Sequence, residues 1–197
     1  LSRLLLRLFP AEPEIMGLTA LMLLQHAREP ARRAGGALVP LEEQDRGRWN
    51  RRMIDEGLAL VDQAMRHLRP GPYQLQAAIA ALHDRAPSFA ATDWAQIDLL
   101  YASLETLQPS PVVTLNRAVV VEKLRGADAA LAMVEPLAAR LDGYFYLHGV
   151  RGALLQRLVS SAEPREASNR AIAVANSPDQ AAQIRHVEAA RVRRAVR

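Results

Sequence analysis

A chain of 197 residues, half of them hydrophobic, is long enough for one or two domains with a sizeable core, and its lack of cysteine excludes a disulfide framework and a thiolate metal site. Its longest apolar run, residues 15–24, is about half the length a helix needs to cross a bilayer, so no transmembrane span is expected. Cysteine-free composition fits a reducing cytoplasm. The first residue is leucine, and no charged stretch with a cleavage site precedes the apolar run, so a fragment without a signal peptide is expected.

The net charge of +4 is unevenly spread. Residues 1–52 carry nine arginines against six acids, residues 53–178 eleven bases against thirteen acids, and residues 179–197 five arginines against two acids, so only the ends are basic. Scattered arginines of this kind read as solvated helix faces, and they predict no more than weak, sequence-blind attraction to nucleic acid.

In chain order, residues 4–9 form a short apolar helical piece ended by Pro10. Pro13 with Glu14 then opens an apolar helix over residues 15–27, a first-turn proline followed by an acid, expected at the centre of an N-terminal bundle. Residues 28–40, REPARRAGGALVP, mix arginine, glycine and proline and predict a flexible connection. Asp45 is the expected cap of a long helix whose buried stripe is Trp49, Met53, Ile54, Gly57, Leu58, Val61, Met65 and Leu68. Residues 69–72, RPGP, make a turn.

Residues 73–126 hold three further helical patterns with clear punctuation. The first has Leu75, Ala78, Ile79 and Leu82 at helical spacing and stops before Pro87. Thr92 reads as the next N-cap, with Asp93 in the first turn. Trp94, Ile97, Tyr101 and Leu104 follow as one stripe, which places Trp94 and Tyr101 in the core and predicts about 3 to 5 kcal/mol for Trp94→Ala. Ser110 and Pro111 open the third helix, which is apolar on more than one side and therefore expected in the interior, and Gly126 ends it.

A helix over residues 128–140 should kink or end early at Pro136. Residues 144–158 and 164–175 form another pair, and Ser177 with Pro178 caps a final arginine-rich helix. A period of about 34 residues, that of the tetratricopeptide (TPR) helix-turn-helix unit, aligns Pro109, Gly143 and Ser177 at inter-repeat turns and matches Arg117 and Leu124 to Arg151 and Leu158. Val159, Pro164 and Ser168 depart from the pattern. No segment alternates with period two, so the expected fold is all-α, with at least eight helices: a helical bundle over residues 1–72, then TPR-like repeats forming an α-solenoid over residues 73–197.

No pattern carries catalysis. The histidines His26, His67, His83, His148 and His186 are dispersed and lack the spacing of a helix-borne zinc site, Gly35 and Gly36 are not followed by the residues of a phosphate loop, and no serine sits in a nucleophile elbow. Neither a metal, a cofactor nor an enzyme activity is expected. The candidate interaction residues are polar and aromatic: Gln44, Asp45, Arg46 and Trp49 as a cap with an ion pair or a contact surface, and Gln76, His83, Asp93, Trp94, Asn116 and Arg117 as the face of a groove. The alternative for His83, Asp93 and Asn116 is that they satisfy one another or backbone groups at helix junctions.

Six motifs occur in order: GLxALMLLxxAR (residues 17–28), LEEQDRxxW (41–49), GPYQLQAAIAALH (71–83), TDWxxI (92–97), LY (100–101) and PxVxLNRAV (111–119). Together they resemble the C-terminal extension of a group of bacterial extracytoplasmic-function sigma factors, over nearly the whole chain. The resemblance implies a regulatory or interaction part of a transcription-initiation factor. The resemblance also implies that this chain is the extension without the sigma region 2 and region 4 domains, which would bind promoter DNA and core RNA polymerase. Its expected partners are those sigma domains and the polymerase core, with no membrane contact and with homodimerisation open. A sensor that binds a small molecule or peptide in the groove is the alternative, and an unrecognised hydrolase the third.

Overall fold

The computed structural model describes residues 1–158, in which helices account for nearly all of the regular structure. In order these are α1 (Ser2–Leu8), α2 (Pro13–Ala27), α3 (Glu29–Arg32), α4 (Arg51–Met65), α5 (Pro72–Arg85), α6 (Trp94–Leu107), α7 (Pro111–Arg125), α8 (Ala127–Val134) and α9 (Phe145–Arg157). Single 3-10 turns lie at Leu41–Glu43, Arg46–Arg48 and Glu135–Leu137. The fold of the described residues is all-α, as the periodicity predicts. The helices predicted over residues 164–175 and after Ser177, with the third repeat unit, lie outside the described residues.

Two compact units divide the chain. One holds Leu1–Arg32 and Leu41–Pro109, the other Arg33–Pro40 and the described residues 110–158. A boundary between residues 72 and 73 would pass through the first unit, because α5 packs against α2 and α4. Helix α2 is the centre of that unit. It is buried at Met16, Ala20, Leu23, Leu24 and Ala27, and small residues let its neighbours come close. A Cβ on Gly17 would stand 2.6 Å from the Gln74 backbone nitrogen, and one on Gly57 would stand 2.8 Å from Leu24 Cγ, so α5 and α4 approach α2 to near backbone contact. Glu14, the second residue of α2, caps α5 from outside: its carboxylate accepts from the backbone N–H groups of Tyr73 and Gln74, both at 3.0 Å, and from Gln74 Nε2 at 3.2 Å. The carboxylate thereby satisfies first-turn donors that have no partner inside the helix.

The helix ends show which local signals prevailed. Asp45 caps only the 3-10 turn, accepting from Gly47 N at 2.9 Å, while Asn50 caps α4 by accepting from Met53 N at 3.1 Å. Trp49 is therefore not part of a helical stripe. It is extended, and it is buried all the same. The predicted stripe of α4 also fails at its far end, where Met65 is partly exposed and Leu68, at φ +53°, lies beyond the last helical residue and in solvent. At α6, Asp93 and not Thr92 is the cap, accepting from Gln96 N at 2.9 Å.

The region predicted as a flexible connection contains α3 and a two-stranded antiparallel ladder pairing Arg33 with Leu38 and Ala34 with Ala37. Gly35 and Gly36 turn it with φ of +57° and +83°, values that glycine adopts without a Cβ penalty.

In the second unit Leu115, Ala118, Ala130, Val134, Leu137, Leu147 and Leu154 form the core between α7, α8 and α9. Ser110 caps α7 and Pro111 is its first residue, as expected, but α7 is not an interior helix: Asn116, Val119 and Leu124 are exposed. The helix before Pro136 ends at Val134 and tightens into a 3-10 turn, because proline has no N–H to continue the α ladder.

Candidate functional site

The residues predicted for function separate by unit. Asn116, exposed, and Arg117, half-buried, belong to α7 in the second unit. Gln44, Asp45, Arg46, Trp49, Gln76, His83, Asp93 and Trp94 belong to the first. Gln76 and Asp93 serve their own helices: Gln76 Nε2 donates to Pro72 O at 3.2 Å, and Asp93 is spent on its cap. Gln44 is half-buried beside the 3-10 turns. The remaining four, Arg46, Trp49, His83 and Trp94, meet around the C-terminal end of α5.

Arg46 is the clamp of this cluster. Its Nη1 donates to the carbonyls of His83 at 2.7 Å and Ala86 at 2.9 Å, which caps the negative end of α5 with a cation. Its Cζ lies 4.4 Å from the centre of the Trp49 ring, and Arg28 Cζ approaches the same ring at 6.0 Å. These distances are those of cation–π contact, strengthened where the ring is out of water. The His83 ring meets Trp94 edge to face at 5.4 Å, and Phe89 meets Trp94 in the same way at 4.9 Å.

Two charged members of the cluster are not among the residues predicted for function. Arg28, at the C-cap of α2, and Asp84, on the last turn of α5, are 5% and 2% exposed, and Arg28 Nε faces Asp84 Oδ1 at 3.6 Å. Asp84 is one residue from His83, yet only the packing of α5 on α2 shows that it points inward. Burial pushes its carboxyl up to about 6 against the opposing pull of Arg28 and Arg46, and burial together with those same arginines pushes His83 down to about 4. Burial also lowers Arg28 and Arg46 below the usual guanidinium range. Arg28 Nε, Arg46 Nη2, Trp49 Nε1, His83 Nδ1 and both carboxylate oxygens of Asp84 are buried without a hydrogen-bond partner. Among the described residues no group of three His, Asp or Glu side chains is placed to hold a metal ion.

Trp94 and Tyr101 correct the prediction of core residues. Both are half-buried, and the fully buried positions of α6 are Ile97, Asp98 and Leu104. Trp94 covers the His83 edge of the cluster, so its truncation should cost less than a core tryptophan would.

The two shifted groups predict an unusual pH profile. Asp84, raised from 3.8 to about 6, contributes stability that is complete below pH 3.8 and is lost as pH rises through 6. His83, lowered from 6.5 to about 4, contributes stability that is complete above pH 6.5 and is lost as pH falls through 4. The slopes oppose over nearly the same window and offset one another. Asp84→Asn should therefore unmask the histidine, so that its stability relative to the native chain rises by about 3 kcal/mol from pH 4 to pH 6.5. Urea melts across that range measure the difference, and a flat difference would show that the Asp84 carboxyl is hydrated.

The class defined by these observations is a helical protein whose polar cluster is built from arginine, tryptophan, histidine and aspartate. Residues 1–65 match the model of a family described as "Family of unknown function (DUF6596)", a span that ends with α4 and so includes Arg28, Arg46 and Trp49. A curated relative from Rhizobium meliloti (strain 1021), itself described as an uncharacterized protein, is 67% identical over 186 residues, covering 94% of this chain and 44% of the relative. The chain thus spans less than half the length of that relative. No solved structure matches. Among the described residues no helix is long and apolar enough to cross a membrane.

Proposed function

We propose that this chain is the helical regulatory part of a larger cytoplasmic transcription-initiation factor of the extracytoplasmic-function sigma type, docking on sigma domains or on core RNA polymerase. The observation that carries this reading is where four of the six motifs meet. Arg28 closes the first motif, Arg46 and Trp49 lie in the second, His83 ends the third and Trp94 lies in the fourth, and all five converge at one end of α5. Segments up to 66 residues apart thus build one cluster, which is the pattern expected if the resemblance extends to tertiary structure. The length of the Rhizobium relative leaves room for further domains. Helical arrays offer a continuous surface for docking, in keeping with this role.

A second reading, a sensor for a small molecule, is favoured by the buried polar atoms of the same cluster. Reporter transcription from the longer polypeptide tests the first reading. Deleting residues 1–197 should change output several-fold, and Asn116→Ala and Arg117→Ala, with folding verified by circular dichroism, should shift it in the same direction. Equal output from all forms would make the chain a passenger and refute a regulatory role.

A further inference from the structure

We propose that the end of α5 forms a binding site for a small oxyanion that retains a proton, with hydrogen phosphate as its simplest occupant. Arg28 and Asp84 are each more than nine-tenths buried and face each other at 3.6 Å, and with Arg46 and Trp49, 4.4 Å apart, and His83 next to Asp84 in α5 they form one cluster whose buried polar atoms lack hydrogen-bond partners. Buried polar groups in folded proteins are almost always hydrogen-bonded, and each one left without a partner is destabilising. So many in one cluster point to a common partner.

The chemistry of those atoms selects the partner. Arg28 Nε, Arg46 Nη2 and Trp49 Nε1 are donors only, and the two oxygens of ionised Asp84 are acceptors only. His83, neutral at pH 7, serves in either sense according to its tautomer. Two guanidinium groups against one carboxylate leave an excess positive charge, to which Arg32 and Arg51 add their field. A neutral alcohol or amide would leave that charge unmatched. A fully ionised oxyanion such as sulfate would satisfy the arginines but would set its lone pairs against those of Asp84. An oxyanion bearing one hydroxyl accepts from the arginines and the indole and donates to the carboxylate.

This inference deepens the sensor reading and does not depend on the transcription reading. Saturable binding with no effect on reporter output would leave the site standing and remove only the sensing role. Both tryptophans of the chain, Trp49 and Trp94, belong to the cluster, so their emission reports on it directly. At pH 7 and constant ionic strength, inorganic phosphate should change that emission saturably and give matching heats in isothermal titration. Sulfate should bind at least about ten-fold more weakly, because one hydrogen bond is lost and an acceptor pair is opposed.

Arg46→Gln, at the partly exposed edge of the cluster, should weaken phosphate binding by about ten-fold or more, the loss of one charge-assisted contact. Asp84→Asn, whose amide donates as well as accepts, should bring phosphate and sulfate close to parity. Equal affinity for phosphate and sulfate in the native protein would overturn the role of Asp84, and no saturable change with either would show that the cluster is a structural one satisfied by water. If Asp84→Asn does not fold, the native comparison and Arg46→Gln decide the matter.

Discussion

Arg28→Ala should destabilise the protein by about 3 to 5 kcal/mol, the usual cost of removing one partner of a buried ion pair. The Asp84 side chain has no exposed surface, and Arg28 Nε at 3.6 Å is the cation in closest ion-pair contact with it. Without that guanidinium the carboxylate keeps its desolvation penalty and loses its strongest counter-charge, leaving Arg46 as the strongest of those that remain to lower its pKa. Trp49 loses one of its two guanidinium contacts as well. Denaturant melts at pH 7 measure the effect. A loss below about 1 kcal/mol would mean that water reaches the pair and that it behaves like a surface bridge. The double replacement Arg28→Met with Asp84→Leu should recover much of the loss, because an apolar pair of similar size carries neither penalty. Recovery would separate the cost of an orphaned charge from the cost of lost packing.

Leu24→Ala should cost about 2 to 5 kcal/mol, and its position within that range should be set by Gly57. Leu24 is fully buried in α2 and fills the notch that the missing Cβ of Gly57 leaves in α4. Truncation opens a cavity between helices whose approach is already fixed by Gly17 against α5, so collapse is limited on two sides and the cost should fall in the upper half. Gly57→Ala alone should destabilise by about 1 to 3 kcal/mol through overpacking against the Leu24 side chain. The two substitutions together should cost less than their sum, since the new methyl enters the space that Leu24 vacates. Strict additivity in urea melts would place the two residues out of contact and overturn this account of α2 and α4.

Helix existence and most helix ends were legible in the sequence because their causes are local. Pro13 and Pro111 tolerate a first-turn position, Ser110 offers a hydroxyl to an orphan N–H, and Pro136 removes a donor, each within one turn of the boundary it sets. Competition between adjacent caps was not legible. Asp45 and Asn50, or Thr92 and Asp93, are chemically equivalent candidates, and the choice depends on where the preceding chain must enter. The Gly35–Gly36 turn carried its own signal, two glycines between short segments, which composition alone had made into a flexible linker.

The candidate site divides in the same way. Arg46, Trp49, His83 and Trp94 were legible as polar and aromatic residues out of keeping with a plain helical stripe. Arg28 and Asp84 were not, because an arginine after an apolar helix and an aspartate near the end of another are ordinary surface residues until packing turns them toward each other. Sequence by itself determined the helical class and the segments that could form helices, since capping and periodicity act over a few residues. Tertiary structure alone decided that α5 belongs with α2 and α4, that Trp94 is only half-buried, and that a buried ion pair forms at the end of α5. Those outcomes depend on which faces meet across tens of residues, and no local pattern encodes that distance.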